Sequence, residues 1–165
     1  RSGWRHRWRQ LPSEAVVTVW RPASAIRVKA IGLAWHEGRL LAAEVLDDRG
    51  QVKGVRPLGG SVEFGERWQD ALAREFAEEL GLAVTIEREA GALENFYTHE
   101  GFVGHEVIFV ADVLLPAGTV QGREELRFHE RDGGPYVARW FDVSLLDQPG
   151  ERALYPEGLR RLLAR

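Results

Sequence analysis

The 165 residues suffice for one domain, and a chain of this length can bury a full core. Hydrophobic residues make up 44% and charged residues 28%, and a net charge of -3 gives no general attraction to nucleic acid or to an anionic membrane. The lack of cysteine excludes disulfides, thiolate nucleophiles and zinc-thiolate sites, and no apolar run approaches the roughly 20 residues of a membrane span, so with no secretory leader visible a cytoplasmic protein is the expectation.

Residues 1–10, RSGWRHRWRQ, are the one locally basic segment, four arginines interleaved with Trp4 and Trp8. Such a mixture can stack on bases and contact phosphates. No wider basic surface joins it, so residues 1–13 read as an arm that packs on the domain or on a second subunit, a homodimer being one possibility, and nucleic acid is not the expected partner. Residues 14–165 read as a single domain without repeat or linker.

The β-branched run from Glu14 to Trp20 reads as a strand closed by Arg21 and Pro22. Two apolar segments, Ile26 to Trp35 and Leu40 to Leu46, flank His36-Glu37-Gly38-Arg39 and predict a hairpin with His36 in its turn. After the turn at residues 47–50, a short strand from Val52 to Val55 leads into Arg56-Pro57-Leu58-Gly59-Gly60. Arg56 is a candidate phosphate clamp, although an arginine ending a strand also suits a surface ion pair.

From Trp68 to Leu80 there is neither Gly nor Pro, most residues are good helix formers, and Gly81 follows as a terminator. At about 3.6 residues per turn, Glu75, Glu78 and Glu79 share one face while Leu72, Phe76 and Leu80 form a separate apolar stripe. Three carboxylates this close repel one another unless a cation sits among them. Hard oxygen donors with open positions suit Mg2+ or Mn2+, which complete their shells with water and phosphate oxygens. An E-x-x-E-E helix alone is commonly no more than a solvated acidic face. Here it is preceded in fixed register by Gly59, Gly60, Glu66 and Arg74.

The whole stretch from Gly60 to Leu82, GSVEFGERWQDALAREFAEELGL, matches G-x5-E-x7-R-E-U-x-E-E-x-G-U without a gap, with Phe76 where an aliphatic residue is more usual. It resembles the Nudix box of the Nudix hydrolases, and the P-L-G-G preceded by Arg56 is similar to a subset written R-P-L-G-G-x-x-E-x-G-E. The resemblance implies an α+β domain with the Nudix fold, an α/β/α sandwich around a mixed β-sheet. It also implies a metal-dependent hydrolase that cleaves the diphosphate bond of a nucleoside diphosphate linked to another moiety, by attack of activated water on phosphorus. The metal ligands would be Glu75, Glu78 and Glu79 with the Gly59 carbonyl, the cofactor Mg2+ or Mn2+. Arg74 and Glu66 would hold the box carboxylates in place. The implied partner is a small nucleotide-derived substrate.

Downstream, Ala83 to Ile86 predicts a strand, Glu87 to Glu89 a polar break, and Ala92 to Thr98 a second strand that turns into Gly104 to Leu115. Phe96 and Tyr97 are candidates to stack on a base or sugar, though aromatics in a strand are more often core. His105 and Glu106 must point to opposite faces of that last strand, so at most one of them can address a metal. Residues 116–134 predict a long polar loop, from which Glu124, Glu125 or Glu130 is a candidate general base beside Glu106 and the box glutamates. Tyr136 to Val143 predicts the final strand; many relatives carry a Glu two residues before Trp140, where this chain has Ala138. Pro156 is expected to open a closing helix with an apolar stripe of Leu159, Leu162 and Leu163.

Overall fold

The computed structural model describes residues 21–120, 124–129 and 135–164. The arm at 1–13, the strand expected from Glu14 to Trp20, and Glu130 lie outside the described residues. In chain order the elements are β1 (Ile26–His36), β2 (Arg39–Leu46), β3 (Val52–Pro57), β4 (Gly59–Ser61), α1 (Trp68–Leu80), β5 (Thr85–His99), β6 (Phe102–Leu114), β7 (Glu125–His129), β8 (Pro135–Phe141), β9 (Ala153–Leu154) and α2 (Leu159–Leu163).

The predicted hairpin is there, and its two-residue turn has Glu37 at φ 51° and Gly38 at φ 75°, the pair of positive values that matches strand twist. Its strands pair only through Trp35 with Leu40 and His36 with Arg39, and then separate. β1 continues into a ribbon with β6, which it joins in parallel, and with antiparallel β4; β5 completes that ribbon beside β6. β2 continues into a second ribbon with β3 and β8, to which β9 and β7 are added. The sheet is therefore mixed and two-winged.

Alternation along β1 sorts its side chains to two apolar layers. Ala30 and Ala34 face α1 and pack with Leu72 and Phe76. Ile31 and Leu33 face the opposite way and pack with Ile108, Val110 and Leu159 of α2. The sheet thus lies between one helix and the other, the α/β/α arrangement that the sequence implied. α1 ends where Gly81 takes the left-handed conformation, φ 67°, and the amides of Gly81 and Leu82 bond to the carbonyls of Ala77 and Phe76. Among the described residues, no helix is long and apolar enough to cross a membrane.

Four expectations need correction. The two strands predicted around Glu87–Glu89 are one strand, β5, in which register shifts between Ile86 and Arg88 and between Glu89 and Gly91 absorb the polar residues. The expected long loop contains β7, where buried Leu126 and Phe128 alternate with the more exposed Glu125 and Arg127, a period-two signal too short to stand out. β8 is not the final strand, because β9 follows and pairs with β3. The closing helix starts at Leu159 after Gly158, not at Pro156.

Candidate active site

Arg74 is the hub of the acidic end. Its Nε donates to Glu66 Oε1 at 2.8 Å and its Nη2 to Glu66 Oε2 at 3.0 Å, while Nη1 donates to Glu75 Oε1 at 2.9 Å and to Glu78 Oε2 at 3.1 Å. One guanidinium therefore engages three carboxylates, the bond to Glu66 being the two-pronged kind that fixes direction as well as charge. That bonding to Glu66 outweighs burial and, with Glu75 adding to it, raises the Arg74 pKa above its ordinary value. Glu66 Oε2 also accepts the Glu63 amide at 3.1 Å, which ties the loop before α1 to the helix.

Glu75 is 6% exposed. Its carboxylate rests on the backbone of Gly60, where an added Cβ would lie 2.2 Å from Glu75 Cδ. Gly59 sits equally close to β1: its φ is 143° and a Cβ there would meet the Ala30 carbonyl oxygen at 2.1 Å. The double glycine thus lets a main-chain strand pass between β1 and the box glutamates. Glu78 is exposed and Glu79 half-buried on the same helix. The carboxylates of Glu66, Glu75 and Glu78 carry more negative charge than Arg74 offsets, a donor set that fits a hard divalent cation.

A second, cationic cluster surrounds Glu106, which is 1% exposed. Lys29 Nζ lies 3.3 Å from its Oε1, Arg56 Nη2 lies 3.6 Å from its Oε2, and Asn95 Nδ2 donates to Oε2 at 3.2 Å. Burial pushes the Glu106 carboxyl up, but Arg56, Lys29 and Asn95 together leave it below the ordinary glutamate value. Burial and then Arg56 bring Lys29 down to about 8. Arg56, Asn95, Tyr97 and Glu106 line one pocket together with Lys53, Thr98, His99 and Tyr155. The Tyr97 ring lies over Gly104, where a Cβ would fall 2.2 Å from Cζ. Burial, and next the charge of Glu106, raise its phenol pKa.

The two clusters meet at Ser61. Its carbonyl accepts from Arg74 Nη2 at 3.0 Å, and its hydroxyl accepts from Arg27 Nη2 at 2.6 Å. Arg27 pairs in register with Glu106 across β1 and β6.

The structure therefore brings Glu66, Arg74, Glu75 and Glu78 together, with Glu75 over Gly60 and Gly59 next to it against Ala30, and places Arg56 and Tyr97 in the neighbouring pocket. Phe96 is not with them: it is 59% exposed and stacks on His105 at 4.1 Å, on the other face of β5 from Tyr97. Of the loop carboxylates, Glu124 is 86% exposed beside Arg39, and Glu125 bonds to Arg127 and Arg139. Asp48, His99 and Glu100 also bring ligand atoms within 4.8 Å of one another, but Asp48 pairs with Arg21 and Glu100 lies near Lys53. Sequence reasoning missed Arg27, Lys29, Ser61 and Asn95. The only local trace was Arg27-x-Lys29, two cations on one face of a strand.

Fold and site together define the class of Nudix hydrolases, and the chain belongs to that family: the family model described as NUDIX domain matches residues 27–163. Nucleoside triphosphatase NudI of Escherichia fergusonii is 44% identical over 57 residues, 34% of this chain and 40% of that relative. The chain is thus matched over less than half the length of that relative. In fold it is similar to a MutT Nudix hydrolase of Burkholderia pseudomallei, with 23% identity, coverage of 85% of this chain and 97% of that one, and a TM-score of 0.55. A Nudix hydrolase of Nitrosomonas europaea aligns over 85% of this chain and 87% of that one at 18% identity, with a TM-score of 0.56.

Proposed function

We propose that this protein hydrolyses the diphosphate bond of a nucleoside diphosphate derivative, using Mg2+ or Mn2+ and a water molecule that attacks phosphorus. The observation that carries this reading is the Arg74-centred set of carboxylates, with Glu75 laid on Gly60, joined through Ser61 and Arg27 to the cations Lys29 and Arg56 around Glu106. Glu75, Glu78 and Glu79, with the Gly59 carbonyl, would hold the cation. A cation so bound polarises phosphoryl oxygens and makes water a stronger nucleophile at neutral pH.

The remaining work falls to the chain itself. Arg74 directs one oxygen each of Glu75 and Glu78 and limits the repulsion between them. Glu66 holds Arg74 in turn. Arg56 and Lys53 attract the anionic part of the substrate, and Tyr97 offers a flat apolar face for the remainder. The proton of the attacking water passes to a box carboxylate; Glu106 is instead engaged by Lys29, Arg56 and Asn95.

The test is phosphate release from nucleoside triphosphates, nucleotide sugars, ADP-ribose and dinucleoside polyphosphates, with Mg2+ or Mn2+ and with coupled phosphatase where needed. Turnover that depends on metal and falls by at least ~100-fold in Glu79→Gln is the expected result, with the melting temperature of the metal-free variant nearly unchanged. Full activity in the variant removes Glu79 from the site. Silence across the panel, with a nucleotide still raising the melting temperature, would point to a domain that binds nucleotide without cleaving it.

A further inference from the structure

Alternation at the start of β1 is the reverse of what a solvent-facing strand carries. Arg27 and Lys29 point to the pocket side, toward Ser61 and Glu106, so Ile26 and Val28 point to the α1 side. Cross-strand register extends that apolar face over three strands: Val28 lies beside Val107, Ile26 beside His105 and then Phe96, and Val103 follows on β6. One step nearer α1 the face is roofed, because the Trp68 ring stacks on Phe109 at 5.3 Å. Beyond Trp68 the described residues leave it open: Ile26 is 62%, Phe96 59% and Val103 67% exposed. A sheet that turns one face to water places polar side chains there, and an exposed apolar face of this breadth marks a surface that something covers.

The chain carries a segment that fits. Residues 1–20 hold three of the six tryptophans, Trp4, Trp8 and Trp20, together with Val16, Val17 and Val19. The described chain starts beside the face. Arg21 is held by a two-pronged ion pair to Asp48, and its guanidinium lies 5.3 Å from the ring of Phe102, which opens β6 and pairs with His99 at the end of β5. Val103 is the next residue of β6, and Ile26 comes five residues after Arg21. The segment has only to round the end of the sheet, and at ~3.3 Å per extended residue its length exceeds that span. Charge agrees as well. Glu94, two positions from Phe96 on the same face, has an exposed side chain, and Arg1, Arg5, Arg7 and Arg9 bring the opposite sign. A second copy of the face would bring another Glu94 instead.

We propose that residues 1–20 fold back over this face within the same molecule, setting their tryptophans and valines against Ile26, Val28, Phe96 and Val103. The chain has no cysteine, so single cysteines report the cover directly. Val103→Cys and Phe96→Cys in the full chain are labelled with a maleimide, each rate divided by that of the same variant in urea. Leu145→Cys, 60% exposed and outside this face, is the open reference. A covered thiol reacts only through opening, so both positions should label at least ~10-fold more slowly than the reference, at every protein concentration. Replacing Trp4, Trp8 and Trp20 with Ser in the same full chain should abolish the protection.

Labelling as fast as at Leu145→Cys shows an open face and overturns the inference. Protection that fades on dilution gives the face to a second copy, and protection that survives the serine replacements gives it to another occupant; either result overturns it too. Thr18→Cys combined with Val103→Cys, joined by a short bismaleimide, makes the test without touching a tryptophan, should the triple variant fail to fold. An intramolecular link is the expected product, and its absence rejects the proposal.

Discussion

Lys29 carries a charge in a place that disfavours it, between Arg56 and the buried carboxylate of Glu106. Its pKa falls from 10.5 to about 8, by burial first and Arg56 second, with Glu106 opposing. The sign of the consequence follows from proton counts. Between about pH 8 and 10.5 the unfolded chain keeps a proton on Lys29 that the folded protein has released, so stability from this group rises with pH through that window. Below pH 8 both states hold the proton and the penalty is constant. At about 1.4 kcal/mol per pKa unit the full effect is on the order of 3 kcal/mol. Urea unfolding of wild type and Lys29→Met at pH 7.5 and pH 10 should show the wild type gaining on the variant at the higher pH; parallel behaviour would mean that Lys29 does not titrate there. Residues of this kind were not legible in the sequence. Glu66, Arg74 and Glu75 were, because they fall within ten positions of one motif that resembles the Nudix box, although Glu66 itself precedes α1. Lys29, Arg56, Asn95 and Glu106 come from four strands, and no local spacing announces their meeting.

At the scale of elements, α1 was predicted to its last residue because periodicity, an interior free of Gly and Pro and a terminal glycine all agreed. The one unusual residue in it, Phe76, has a structural counterpart that the sequence pattern did not connect. Its ring lies against β1 at Gly32, where a Cβ would come within 2.9 Å of the ring edge. A large ring on the helix is matched by the smallest residue on the strand. Gly32→Ala should therefore cost about 1–3 kcal/mol by overpacking, and Phe76→Leu in the same chain should recover part of that loss. Chemical unfolding of the two single variants and the double variant measures the coupling; additive effects would show that the two positions do not constrain each other. The strands were read less well where tertiary pairing decided the outcome. β5 runs through a polar stretch because β6 supplies a partner along its whole length, and β7 forms because β8 lies beside it.

The molecule as a whole was foreseeable as α+β with a mixed sheet between helices from the order of its elements, but not as two ribbons that share one short hairpin contact. Alternation along the strands of both ribbons, rather than the division between them, gives each helix its own apolar layer. Leu159, fully buried under the sheet face away from α1, belongs to the layer that contains none of the box helix. Leu159→Ala should lower stability by about 2–5 kcal/mol while turnover at saturating substrate, measured well below the melting temperature, stays within about twofold, since the box helix packs in the other layer even though the pocket residues Tyr155 and Glu157 lie just ahead of Leu159. A fall in turnover beyond the unfolded fraction would show that the two layers communicate. One connection does run across the molecule, at Ser61, whose carbonyl serves Arg74 and whose hydroxyl serves Arg27. A lineage adapting to a new substrate would inherit that joint as a constraint. Replacements at Thr98 or Tyr155 can reshape the cavity while catalysis is retained, whereas a change at Arg27 is felt at the acidic centre in the same step, so diversification has its open road on the far wall of the pocket.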